Sequence, residues 1–135
     1  MGKWRLTLQL ALLLSVVWVG LGFSRRSQSI PKVQTGLASF YSEPDRGDTT
    51  ASGEPFNPDE YVAAHPHFPI GTVVRVTNLQ NGRSVNVRII DRGPTASNRY
   101  DGVIIDLSKR AAEKLGFKMQ GRTRVRTEVI KWGKS

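Results

Sequence analysis

Proton transfer in this chain of 135 residues would fall to a few side chains, Asp91, Glu54, His65 and Asp106. Asp91 shares the alternation of Val85, Val87 and Ile89 and precedes Arg92-Gly93-Pro94. Its carboxyl is therefore expected to end an apolar row where the chain turns. There, partial loss of hydration would favour the protonated acid. Arg92 opposes that shift unless alternation turns it to the other side. The same spacing also fits an aspartate that only bonds the amides of its own turn.

Glu54 lies in Thr50-Ala-Ser-Gly-Glu54, a loop without apolar period. Two carboxyls flanking a sugar bond are the usual apparatus of glycoside cleavage, but a lone loop glutamate is as readily a solvated charge. His65 closes the apolar stretch Tyr61–His65 before Pro66. It suits an acid–base group, a substrate donor or a core residue bonded to a carbonyl. Asp106 precedes Leu107-Ser108, where a carboxylate is expected to accept amides at a helix start. His65 and His67 without a further ligand give no zinc pattern, so no metal or other cofactor is expected. Neither a Gly-x-Ser-x-Gly elbow nor a phosphate-cradling loop is present.

Short β elements must position these groups. Leu37–Tyr41 and Tyr61–His65 are two candidate strands. Thr72–Asn78 and Ser84–Asp91 form a hairpin, with Asn81-Gly82 between them suited to a type I′ turn. Val74 and Val76 alternate with Arg75 and Thr77, so one face is buried and one wet. Val103–Leu107 reads as a buried strand. Ser108 caps a helix over Lys109–Leu115, and Gly116 ends it. Thr123–Trp132 alternates again. Six strands with one or two short helices make a small, mainly β barrel.

Ahead of it, Lys3 and Arg5 precede the nearly unbroken apolar run Leu6–Phe23. That order marks export, through a cleaved signal or an uncleaved helix held in the inner membrane over residues 6–23. Residues 1–26 are assigned to this segment, 27–35 to a polar linker and 36–132 to the folded domain. The chain carries 20 Lys+Arg against 11 Asp+Glu, a net charge of +9. Four of the basic residues flank the apolar run, which leaves the folded part moderately basic. Such a field favours polyanions without choosing among them; export argues against nucleic acid. Cysteine is absent, which excludes disulfides, a thiol nucleophile and a lipid-modified N-terminal cysteine.

Taken in order, several segments resemble the RlpA family of double-psi β-barrels. They are Gly36–Tyr41, Thr50–Glu54, Ala63-Ala-His65, Pro69–Thr72, Val76-Thr-Asn78, Asn81-Gly-Arg83, Asp91-Arg-Gly-Pro94 and Ile105-Asp-Leu-Ser108. The resemblance implies an exported, monomeric lytic transglycosylase of the periplasm or cell envelope, not a lipoprotein, acting on peptidoglycan glycan strands. It places the functional trio on Glu54, His65 and Asp91. Thr50, Gly53, Arg92 and Tyr41 are assigned to substrate binding. Asp91 would protonate the bridging oxygen between N-acetylmuramic acid and N-acetylglucosamine, then take the proton of the muramic 6-hydroxyl as it attacks C1. Glu54 and His65 would position the sugar, stabilise charge or tune Asp91. Phe40, Asp48 and Ser52 depart from the family pattern, and the stretch from Pro94 to Ile105 is longer. The alternative implied by the same barrel is an expansin-like module that grips wall polysaccharide without cutting it.

Overall fold

The computed structural model describes residues 29–134; the stretch read as an export segment lies outside them, as does the start of the expected linker. The strands are β1 (Val33–Phe40), β2 (Val62–Ala64), β3 (Val73–Asn78), β4 (Ser84–Asp91), β5 (Val103–Leu107) and β6 (Thr123–Lys131). Two short helices, α1 (Ala96–Tyr100) and α2 (Lys109–Leu115), flank β5. The strands close into a barrel in the order β1-β5-β2-β4-β3-β6. Two pairs, β1 with β5 and β2 with β4, are parallel and the other four antiparallel.

Alternation fills the barrel. Val74, Val76, Val85, Val87, Ile89, Ile105, Leu107, Val125 and Val129 are buried in one core. Helix α2 adds Ala111, Ala112 and Leu115, all buried. Ser108 caps it by accepting from the Ala111 amide, and Gly116 ends it in the left-handed region at φ 78°. Both ends are as the residue types dictate.

Three expectations need correction. Strand β1 begins at Val33, inside the stretch read as linker, because Val33–Thr35 pair with Glu128–Arg126 of β6. The β3–β4 connection is not a two-residue type I′ turn. Asn78 and Arg83 close a longer loop through Asn78 N–H to the Arg83 carbonyl, 2.8 Å, and only Gly82 has positive φ. The Asn81 side-chain Nδ2 instead donates to the Leu115 carbonyl at the end of α2, 2.9 Å. Finally, Asp106 accepts no amide at the start of α2, which Ser108 caps as expected; its Oδ1 takes the Ser39 hydroxyl instead.

Both parallel pairs are irregular, and β3 against β6 shifts at Val73/Val74. Register shifts at Leu37/Ala38 against β5 and at Ala63/Ala64 against β4. The second shift pairs Ala63 with Ile89 but Ala64 with Asp91. Ile90 is thereby skipped and buries in a separate cluster with Phe56 and Val62, against which Tyr41 packs. Asp91 emerges at the rim.

Candidate active site

An open cleft of about 670 Å³ lies where β1, β4 and β5 end, walled on one side by the 92–99 segment. Asp91, Asp106, Tyr41, Arg92, Ser39 and Asp45 line it. The longer 95–104 stretch folds locally rather than hanging free. Thr95 accepts from the Asn98 amide and starts α1, and Arg122 donates to the Asn98 side chain, 2.9 Å.

Asp91 accepts three hydrogen bonds. Its Oδ1 takes the amides of Ala51 at 2.9 Å and Arg92 at 2.8 Å, and its Oδ2 takes the Tyr41 hydroxyl at 2.6 Å. The Tyr41 ring stacks on Phe56 with centroids 4.2 Å apart. Burial, then the bond to Asp91 and its charge, push the Tyr41 hydroxyl far above its ordinary pKa. It stays a donor at any working pH.

The Thr50–Glu54 loop is folded for this contact. Gly53, at φ 86°, completes a turn with its amide on the Thr50 carbonyl, 2.9 Å. Buried Thr50 donates its hydroxyl to the Glu54 carbonyl, 2.7 Å. The Ser52 amide reaches the Ile90 carbonyl at 2.9 Å, which delivers the Ala51 amide to Asp91. Thr50 and Gly53 thus shape the loop, and neither lines the cleft.

Glu54 turns toward β4. Arg88 grips both its oxygens, at 2.7 and 3.0 Å. That bond holds the Glu54 carboxyl below the usual range, against the opposing effect of burial and with the help of the Arg88 charge. The pair is half exposed and outside the cleft lining. Arg88 escaped the sequence reading. Its outward parity was visible, but its partner lies 34 residues away in a loop of no period.

His65 is 1% exposed. Its Nδ1 accepts the amides of His67 and Phe68 at 3.1 and 3.0 Å, so the ring proton sits on Nε2, 3.0 Å from Gln34 Oε1. The ring stacks on Phe68 at 3.6 Å between centroids. Burial first, then the positive charge of His67 and Arg92, lowers its pKa to about 3. His65 is neutral and adjoins the cleft through its backbone: its amide donates to the Asp91 carbonyl, 3.1 Å. Arg92 ties the same loop down, its Nη1 donating to the carbonyls of His65 at 3.2 Å and Phe68 at 2.7 Å.

Asp106 enters the cleft. It takes the Ser39 hydroxyl on Oδ1, as the β1–β5 register that pairs Ser39 with Asp106 requires. Burial raises its pKa; the Ser39 bond and Arg122 oppose the shift, while Asp45 and Asp91 reinforce it. Strand parity could have found it, since Asp106 alternates with buried Ile105 and Leu107.

A closed six-stranded barrel with two shifted parallel pairs and a carboxyl-lined cleft defines the double-psi β-barrel class. Solved structures agree. The Streptomyces papain inhibitor matches with a TM-score of 0.60 at 25% identity, covering 76% of this chain and 97% of that one. A Clavibacter michiganensis expansin matches at 0.57 and 23% identity over 76% and 52%, a likeness of fold alone. Within the class, this chain belongs to the lytic transglycolase family, whose model matches residues 33–127. The endolytic peptidoglycan transglycosylase RlpA of Neisseria meningitidis serogroup B is 45% identical over 116 residues, 86% of this chain and 47% of that relative. The probable endolytic peptidoglycan transglycosylase RlpA of Treponema pallidum is 52% identical over 93 residues, 69% and 28%. The chain spans about half or less of the length of these curated relatives.

Proposed function

We propose that this protein is an endolytic lytic transglycosylase of the cell envelope, cutting peptidoglycan glycan strands between N-acetylmuramic acid and N-acetylglucosamine. The observation that carries the reading is Asp91: a carboxyl at the rim of an open cleft, fixed by Tyr41 and two backbone amides. The RlpA relatives are named for this activity.

In the reaction, the muramic 6-hydroxyl attacks C1 of the same sugar and the bridging oxygen leaves with a proton. The products are a 1,6-anhydro end and a free 4-hydroxyl, and no water is consumed. A cleft that holds one carboxyl beside O6 and the bridging oxygen supplies the proton traffic. Asp91 takes the proton of O6 as that oxygen attacks C1. Tyr41 holds Asp91 in place. His65 serves as a positioning residue, holding the end of β4 from beneath. Glu54, gripped by Arg88, fixes the loop that delivers the Ala51 amide.

Asp91→Asn should lower the formation of anhydro-muramic ends from denuded strands by about 100-fold or more, read by mass spectrometry. Co-sedimentation with the strands should be kept. Wild-type protein that sediments with strands but releases no such ends would instead leave a wall-polysaccharide-binding module.

A further inference from the structure

We infer that Asp106 is the proton donor of the cut and Asp91 the proton acceptor, the two carboxyls standing on either side of Ala64 and bracketing the scissile bond between them. This rests on the reading of the cleft as a lytic transglycosylase site.

The register sets the geometry. Ala64 of β2 pairs with Asp106 on β5 and with Asp91 on β4. Two strand spacings therefore separate the two aspartate backbones, about 10 Å. Both side chains line the same cleft, so they lean over Ala64 from opposite sides. Gly93 lies over the floor between them and carries no side chain to fill the gap. A Cβ on Gly93 would stand 3.4 Å from the Ala64 methyl and 3.7 Å from Asp106 Oδ2.

The hydrogen bonds differ in kind. Both oxygens of Asp91 are occupied by donors. Three donors hold the Asp91 carboxylate and leave one lone pair, on Oδ2, open to an incoming proton. It is arranged to receive. Asp106 uses only Oδ1, for Ser39, and among the described residues its Oδ2 has no protein partner. That oxygen is left to carry a proton toward the cleft that Asp106 lines. Burial independently favours the protonated form of Asp106.

The step balances. Asp106 transfers its proton to the bridging oxygen as the C1–O bond breaks and that oxygen keeps the electron pair. The muramic O6 forms the new bond to C1 and loses its proton to Asp91. Solvent then returns one proton to Asp106 and removes one from Asp91.

The test compares the full-length wild type with Asp106→Asn and Asp91→Asn on two substrates. One is denuded glycan strands; the other is an aryl β-glycoside of N-acetylmuramic acid, whose phenolate leaves without a proton donor. On strands, both variants should lose about 100-fold or more in anhydro-end formation. On the aryl glycoside, Asp106→Asn should recover to within about tenfold of wild type, and Asp91→Asn should not. Asp106→Asn cutting strands within threefold of wild type would overturn the inference and leave the transglycosylase reading standing. Equal loss on both substrates in a folded Asp106→Asn protein would also overturn it. Wild type that releases no anhydro ends from strands would remove the reading on which it rests.

Discussion

A histidine whose both ring nitrogens are engaged beneath the cleft has a measurable signature. His65 is neutral when folded, with a pKa of about 3 against an ordinary 6.5. Between those values the unfolded chain binds the extra proton, so stability contributed by the neutral ring is fully present above pH 6.5 and is lost as pH falls toward 3. The slope is at most about 1.4 kcal/mol per pH unit. His65→Asn, which keeps an acceptor for the His67 and Phe68 amides, should flatten the stability–pH curve in that window, whatever its stability at neutral pH. Urea titrations from pH 7 to 4 decide it, and an unchanged slope would contradict the buried neutral ring. The sequence made His65, Glu54 and Asp91 candidates but could not arrange them. Asp91 touches Ala51 across 40 residues and Tyr41 across 50, separations that no local pattern reports. Asp106 was misplaced for a different reason: proximity to a helix start outweighed the parity of its own strand.

Elements were more legible than side-chain partners, because their causes are local. Strand β4, strand β5 and helix α2 have the bounds that alternation and capping predict. The start of β1 was hidden because Val33–Thr35 acquire strand form only by pairing with β6, some 90 residues on. The β3–β4 loop was mistyped because Asn81 is recruited by the end of α2. Ser108 carries both a cap and a tether: it accepts from Ala111 and donates to the Glu60 carbonyl, 2.6 Å. Ser108→Ala should therefore lower stability by about 1–2 kcal/mol in urea unfolding. A loss below about 0.3 kcal/mol would mean that water replaces both bonds. Because Ser108 stands two residues after Asp106, just past the end of β5, the same variant should also depress turnover, a consequence absent from variants at the far end of α2.

The molecule has one main core, and closure pairs each of its six strands on both edges. Removing buried volume anywhere in it should weaken the whole. Ile105→Ala, at a fully buried position of β5, should cost about 2–5 kcal/mol. Near- and far-UV circular dichroism should still report one coincident transition. An earlier, separate loss of near-UV signal would show a barrel divided into independently melting parts. Fold class was readable at this scale because six short alternating segments admit few closed arrangements. The parallel pairing that creates the cleft was not, since strand order depends on contacts across the whole chain.

Asp91 and Asp106 hang from strands joined through a common neighbour, β2, so the gap between them is set by backbone hydrogen bonds and not by any hinge. The jaws of this tool have a fixed opening. What enters can be altered by rebuilding the 92–99 wall, while the bite itself stays the same.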